Sequence, residues 1–214
     1  MEQKSIVVRE GYTIIIPTAI LTCLTALFGF YWIAFALFLL AAFFVFFFRN
    51  PEREIPNNKM VVVSPADGRI IKIENVVENS LLEGQYKKIS IFMNIFNVHV
   101  NRIPYAGEIE KIIYKPGKLL SANMDKASAL NERNLILIKT AEGKKILTIQ
   151  IAGIIARRIS CWLREGMHVK RGERFGLIKF GSRLEVYLPS DSKIVVESGN
   201  KVKAGETPLG YLNE

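Results

Sequence analysis

Met60-Val61-Val62-Val63-Ser64-Pro65-Ala66-Asp67-Gly68-Arg69-Ile70-Ile71-Lys72-Ile73 is the stretch on which the fold turns. A β-branched run stops at Ser-Pro, the chain reverses at Asp-Gly, and a second apolar run follows at once, which reads as strand, turn and strand. The same grammar recurs at Lys88 to Met93, Val98 to Ile103, Glu108 to Tyr114, Leu135 to Thr140 and Lys145 to Ala152. Gly, Pro, Asn or charged turns separate these runs at the spacing of an all-β barrel or sandwich. Only Leu119 to Arg133 reads as a helix, so residues 60–214 are expected to form a mainly β domain with minor α.

Upstream the composition changes. Asn50 to Lys59 is polar and carries Pro51 and Pro56, and residues 49–59 read as a linker. Before it, Gly11 to Phe48 holds 38 residues without a charge. Residues 1–10 balance Lys4 and Arg9 against Glu2 and Glu10, so the whole net charge of +9 falls on residues 49–214. The uncharged run exceeds the apolar core of a signal peptide, about 7 to 15 residues. As one helix it would reach roughly 57 Å, nearly twice a ~30 Å hydrocarbon core. Phe28-Gly29-Phe30-Tyr31-Trp32 offers a break, a glycine among aromatics that favour the lipid–water interface. The expectation is a transmembrane helical hairpin, Thr13 to Phe28 and Ile33 to Phe48, with a single tilted helix or a hairpin dipping into one leaflet as alternatives. Lys4 and Arg9 before the run and Arg49 and Arg53 after it place both ends in the cytoplasm by the positive-inside rule.

With 214 residues, 50% apolar and 23% charged, the chain suits one domain plus an appendage and is neither disordered nor a disulfide scaffold. Its two cysteines, Cys23 and Cys161, fall inside and far outside the uncharged run, and no bridge between them is expected. Two histidines and no C-x-x-C or H-E-x-x-H leave a transition metal short of ligands, so no metal is expected. Walker-type and dinucleotide-type glycine loops and the G-x-S-x-G elbow are missing from the sequence too. The basic excess on a membrane-tethered domain points to anionic lipid rather than to nucleic acid.

Gly166-Met167-His168-Val169-Lys170-Arg171-Gly172-Glu173 returns as Gly199-Asn200-Lys201-Val202-Lys203-Ala204-Gly205-Glu206, offset by 33 residues, and the copies are followed by Gly176 and Gly210. Two similar tight turns with a buried valine between them are the plain reading. With the Ser64-Pro65-Ala66-Asp67-Gly68-Arg69-Ile70 entry, the pattern also resembles lipoyl- and biotinyl-like barrel-sandwich domains, a likeness of scaffold that implies no modified lysine. His168 in the first copy aligns with Lys201 in the second and is expected at the surface.

Three segments place reactive groups at turns or in strands. Taken singly, Asp67 is a turn aspartate, His99 in Phe96-Asn97-Val98-His99-Val100-Asn101-Arg102 a structural strand histidine, and Gly181-Ser182 in Lys179-Phe180-Gly181-Ser182-Arg183-Leu184 a bulge. Taken together they supply an acid, a base and a hydroxyl nucleophile, the parts by which serine is activated on unrelated folds.

At these residues the sequence resembles the phosphatidylserine decarboxylases, in particular the short bacterial and archaeal branch with an N-terminal membrane segment. The matching blocks are Ser64 to Ile70, Phe96 to Arg102, Asn131-Glu132-Arg133, Ile151 to Ile159 and Arg171 to Pro189. The resemblance implies a self-processing proenzyme in which His99, held by Asp67, takes the proton of Ser182, whose oxygen attacks the carbonyl of Gly181. The amide becomes an ester, elimination leaves dehydroalanine, and hydrolysis with loss of ammonia leaves a pyruvoyl group. A β chain of residues 1–181 and an α chain of residues 182–214 would result, with Phe180 left as local packing. The pyruvoyl ketone would then take the amine of the phosphatidylserine headgroup and act as electron sink while carbon dioxide leaves and phosphatidylethanolamine forms.

Longer relatives carry a second histidine three positions ahead of His99, where this chain has Phe96, so His99 or a water is left as proton donor. Arg157 and Arg158 are candidates to pair with the substrate phosphate, against a plain solvated or lipid-facing edge. Leu119 to Leu130 reads as a membrane-facing flap or as a connecting helix. Family likeness also implies a homodimer. Two rivals remain: a decarboxylase of an archaeal-type ether analogue, with the same headgroup chemistry, and a non-enzymatic membrane-anchored adaptor scaffold, whose usual heptad hairpin residues 75–165 do not show.

Overall fold

The computed structural model describes residues 5–78, 81–118, 130–153, 159–179 and 181–213. The chain divides into two compact units, Met1–Glu52 and Arg53–Glu214.

The first unit holds two helices, α1 (Arg9–Leu27) and α2 (Tyr31–Phe47), separated at Phe28-Gly29-Phe30 where Gly29 takes φ +80°. The break falls at the glycine expected to provide it. The outer ends of α1 and α2 are tied: Val7 bridges Arg49, the Val8 amide donates to the Phe48 carbonyl at 3.0 Å, and Asn50 Nδ2 donates to the Ser5 carbonyl at 3.0 Å. Apolar side chains stand exposed along both helices, Ile16, Ile20, Leu24, Phe35, Phe38 and Leu39 among them. The hydroxyls of Thr18, Thr22 and Thr25 return to carbonyls one turn back in their own helix, which keeps them off the helix surface as unsatisfied groups. By length and composition α1 is able to cross a membrane, and α2 is a shorter apolar helix.

The second unit is mainly β, and among the described residues the ladders between its strands are antiparallel. Its strands are β1 (Val61–Val63), β2 (Gly68–Glu78), β3 (Gly84–Met93), β4 (Val100–Arg102), β5 (Gly107–Lys115), β6 (Arg133–Lys139), β7 (Lys145–Ala152), β8 (Ile159–Cys161), β9 (His168–Val169), β10 (Arg174–Ile178), β11 (Ser182–Pro189), β12 (Lys193–Ile194), β13 (Lys201–Val202) and β14 (Pro208–Tyr211). Eight of them form one sheet in the order β13-β2-β3-β11-β7-β6-β5-β9, beside two three-stranded sheets, β1-β14-β12 and β4-β10-β8. The segment expected as helix lies mostly outside the described residues, and Arg133 at its end opens β6. Residues 119–129 of the expected flap are likewise outside them.

Period-two alternation positions the central strand. In β11, Leu184, Val186 and Leu188 enter the main core with Ile70, Ile89, Ile91, Met93 and Phe175. Arg183, Glu185 and Tyr187 point the other way yet are buried too, Tyr187 beside Leu82, Leu135, Leu147 and Ile149. A buried ion pair needs further partners to offset its desolvation. Here Arg183 Nη1 lies 3.4 Å from Glu185 Oε1, and the Tyr187 hydroxyl donates to Glu185 Oε2 at 3.1 Å. Burial, with the Glu185 carboxylate second, pushes the Tyr187 phenol far up, so it stays a donor.

The 33-residue repeat is visible as paired turns. Gly166, Gly172, Gly199 and Gly205 all take positive φ, between 78° and 94°, and Val169 and Val202 are both buried. Each copy clasps an equivalent partner. Gly166 N–H donates to Ile109 O and Gly199 N–H to Ile70 O; Gly172 N–H donates to Ile103 O and Gly205 N–H to Ser64 O, all at 2.8 Å. Those partners are themselves a second repeat, Pro65-Ala66-Asp67-Gly68-Arg69-Ile70 against Pro104-Tyr105-Ala106-Gly107-Glu108-Ile109, and they exchange bonds: Val63 N–H to Pro104 O and Arg102 N–H to Pro65 O. The domain is therefore a duplicated unit with an approximate twofold relation, and Asp67 has Ala106 as its counterpart.

The residues expected as a linker are fastened to this duplication from Arg53 onward. Arg171 Nη1 and Nη2 donate to the carbonyls of Pro56, Asn58, Lys59 and Val61, and Ile55 packs on Gly172 and Gly205.

Candidate active site

Ser182 opens β11 between Met93 of β3 and Ala152 of β7, fully buried on the core face. Its Oγ lies 3.4 Å from Met93 Sδ. Gly181 before it takes φ +66°, a left-handed conformation that side chains with a Cβ resist, and among the described residues, its chain neighbours aside, no atom lies within 4 Å of where a Cβ would stand. The Gly181–Ser182 junction thus combines an unusual backbone at residue 181 with a firmly held hydroxyl at residue 182.

His99 precedes β4 and is buried. Its Nδ1 lies 3.0 Å from the Asn97 carbonyl, which accepts only, so a neutral ring carries its proton on Nδ1 and leaves Nε2 as the basic nitrogen. Strand alternation puts Asn101 on the same side as His99, and Asn101 Nδ2 reaches the same sulfur as Ser182, at 3.8 Å. Behind Asn101 runs a buried amide chain: Gln150 Nε2 donates to Asn101 Oδ1 at 2.9 Å, and Asn134 Nδ2 donates to Gln150 Oε1 at 3.1 Å. It links β4, β7 and β6 behind the start of β11.

Asp67 lies in the turn before β2, mostly buried, and Arg102 N–H donates to the carbonyl of Pro65 two residues earlier. Both carboxylate oxygens receive Arg53 Nη2, at 3.1 and 2.9 Å, and Oδ1 also receives the Ala204 N–H at 2.8 Å. A hydrogen bond from Asp67 to His99 is not among those of the described residues. The acceptor seen at His99 Nδ1 is a backbone carbonyl instead.

Asn131 Nδ2 donates to the Ala152 carbonyl at 2.7 Å, next to the Ser182 pairing, and Glu132 Oε1 accepts the Ile159 N–H at 3.3 Å, which gives that sequence block a local task. Arg157, Arg158 and Phe180 lie outside the described residues. Among the described residues no three His, Cys, Asp or Glu side chains cluster as a metal site.

Sequence reasoning passed over Arg53, Asn101, Asn134 and Gln150. A polar residue inside an apolar strand, as in Ile149-Gln150-Ile151, was the available signal for the amide chain. Arg53 offered none, because its contact with Asp67 spans a proline-containing segment.

Residues 40–210 match the family model described as phosphatidylserine decarboxylase. A phosphatidylserine decarboxylase proenzyme of Syntrophus aciditrophicus is 54% identical over 211 residues, covering 98% of this chain and 99% of the relative. One from Desulfotalea psychrophila is 48% identical over 206 residues, covering 96% of each, and one from Magnetococcus marinus is 43% identical over 215 residues, covering 99% and 98%. With a matched model over most of its length and relatives this similar from end to end, the chain belongs to the phosphatidylserine decarboxylase family.

Proposed function

We propose that the chain is a proenzyme that cuts itself between Gly181 and Ser182 and then decarboxylates phosphatidylserine to phosphatidylethanolamine as a carboxy-lyase. The observation that carries the reading is the left-handed Gly181 joined to a buried Ser182 pinned between two strands. End-to-end likeness to decarboxylase proenzymes favours this over the adaptor scaffold.

In the first reaction His99 Nε2 accepts the Ser182 hydroxyl proton, Oγ attacks the Gly181 carbonyl carbon, and His99 passes that proton to the Ser182 nitrogen as the peptide C–N bond breaks. Asp67 contributes a carboxylate at the same end of the domain, held in place by Arg53. Loss of the Ser182 α-proton then breaks the Cβ–Oγ bond and releases Gly181 as a carboxylate. Water replaces the nitrogen of the remaining dehydroalanine, which departs as ammonia, and residue 182 becomes a pyruvoyl cap.

Residue 182 suits such a group, since the site is buried and edged by sulfur and amide rather than by charge. When bound there, the pyruvoyl group supplies the electron sink for the departing carbon dioxide. The chain's own residues do the rest. β3 holds the new α-chain terminus in register along the whole of β11 and β7 from Ser182 to Tyr187, so the two chains stay together after the cut. His99 returns a proton to the substrate carbon, with Phe96 filling the position where longer relatives have a second histidine.

Around this chemistry the domain is a lipoyl-like barrel sandwich, a reading supported by the duplicated turns. The apolar helices anchor it as a transmembrane hairpin, with the catalytic domain on the cytoplasmic side, in keeping with Arg9 and Arg49 at the helix ends and the exposed apolar side chains between them. The enzyme works as a homodimer on the membrane, with Arg157 and Arg158 on its lipid-facing edge. Intact-mass measurement of freshly made full-length protein tests the core of the reading. Two chains, the smaller bearing a ketone that reacts with hydroxylamine, and conversion of labelled phosphatidylserine are expected; an unbroken chain with no such ketone refutes it.

A further inference from the structure

The duplication sets two equivalent cross-strand pairs side by side for comparison. On one side Glu108 of β5 faces His168 of β9; on the other Arg69 of β2 faces Lys201 of β13. Each pair is the image of the other, through the same offsets that relate the glycine turns. The first couples an acid with a base. The second sets two permanent cations opposite each other, an arrangement that weakens an antiparallel pair unless an anion lies between them.

Among the described residues neither the Arg69 nor the Lys201 side chain has an ion-pair or hydrogen-bond partner, and both are exposed. They line a cavity of about 900 Å³ together with Asp67, Asn94, Phe96 and Asn97. Its acidic groups are already answered: Asp67 by Arg53 at 2.9 Å, and Glu206 by Arg53 at 3.4 Å and Lys203 at 3.6 Å. The charge left over belongs to Arg69 and Lys201. Asn94 Oδ1 and Asn97 Oδ1 accept backbone N–H groups within their own loop, which leaves their amide nitrogens as donors. Phe96, 64% exposed at the loop tip, adds an apolar wall.

We propose that Arg69 and Lys201 grip the phosphodiester of the lipid headgroup, with Phe96 against its glycerol side. This rests on the decarboxylase reading and gives the substrate phosphate a place distinct from the Arg157–Arg158 pair. Two opposed cations and neighbouring amide donors match the two non-bridging oxygens that share a phosphodiester's single charge, and Asp67 on the same wall puts the headgroup end beside one of the catalytic candidates.

The test uses the full-length Ser182→Ala chain in detergent, which turns nothing over, titrated with glycerophosphoserine and separately with inorganic phosphate. Glycerophosphoserine is expected to bind, and replacing both cations (R69Q with K201Q) to weaken it by about tenfold or more. A second variant, Arg69→Glu, recreates the acid–base pairing of the other half, is expected to fold at least as well, and is expected to lose binding. Unchanged binding in either variant overturns the proposal. Inorganic phosphate bound as tightly as glycerophosphoserine overturns the lipid assignment in favour of a free-phosphate site. Should the wild-type chain lack decarboxylase activity while glycerophosphoserine still binds through these two residues, the site stands and the reaction falls.

Discussion

Arg53 holds both carboxylate oxygens of Asp67 through a single guanidinium nitrogen, at 3.1 and 2.9 Å, five positions after the apolar run ends at Phe48. The pair is nearly dry, with 9% and 12% of the two side chains exposed. Removing one partner of such a pair leaves a stranded charge, which costs far more than the intact pair contributes.

Arg53→Met is therefore expected to destabilise the domain by about 3 kcal/mol and to slow self-cleavage, whereas Arg53→Lys keeps a charge and recovers part of both. Denaturant melts of the uncleavable Ser182→Ala background, beside intact-mass time courses in the parent chain, separate the two effects. Equal cleavage rates in the parent and Arg53→Met would remove Arg53 from the positioning of Asp67.

Gly181→Ala places a Cβ where φ is +66°, at a strain of about 1–2 kcal/mol, although no clash arises with the described residues. The fold is expected to survive and the cut to slow by about tenfold, as the carbonyl turns away from Ser182 to relieve the strain. Mass spectrometry at fixed times after synthesis gives the rate. Cleavage at the parent rate would mean that the left-handed backbone does not assist the attack.

Gln150→Leu strips a partner from Asn101 and another from Asn134, both buried. Each orphaned amide costs about 1–3 kcal/mol, so a loss of about 2–6 kcal/mol is expected. Replacing Asn101, Asn134 and Gln150 together by apolar residues is expected to cost less than the single change, because no polar group is then stranded. Urea midpoints of the two variants decide it.

Cys161 is held above the usual thiol range by burial, against weaker opposing pulls from the Leu163 backbone and the Asn134 side chain. Its alkylation by iodoacetamide is expected to be slow at pH 8 and to rise with a midpoint above the ordinary thiol value of about 8.5. The same shift makes its contribution to stability complete below that ordinary value and lost as pH climbs through the raised one. Peptide-level mass spectrometry across pH 7 to 11 reads the profile, and a midpoint below pH 8 would contradict the burial.

Much of the fold was legible. Lys145 to Ala152 reads as a strand and is one; Val169 and Val202 read as the buried teeth of glycine turns and are buried. Other ends were misjudged by several residues, as where β2 runs on to Glu78 and β4 shrinks to Val100–Arg102. Strand ends depend on which neighbour supplies hydrogen bonds, and a chain segment carries no mark of that. The second repeat, Pro65 to Ile70 against Pro104 to Ile109, hid behind an aspartate aligned with an alanine and became plain only through the exchanged bonds of Val63 and Arg102.

By itself the sequence determined the apolar run with its break at Gly29, the glycine turns that bury Val169 and Val202, and the blocks around Asp67, His99 and Ser182, because facing and turning are set by the backbone within a few residues. Only the tertiary structure decided which carbonyl meets His99, that Arg53 closes on Asp67, and that Arg69 stands opposite Lys201. Those are matters of register between distant strands, fixed by packing the whole sheet at once, and no local pattern of residues encodes them.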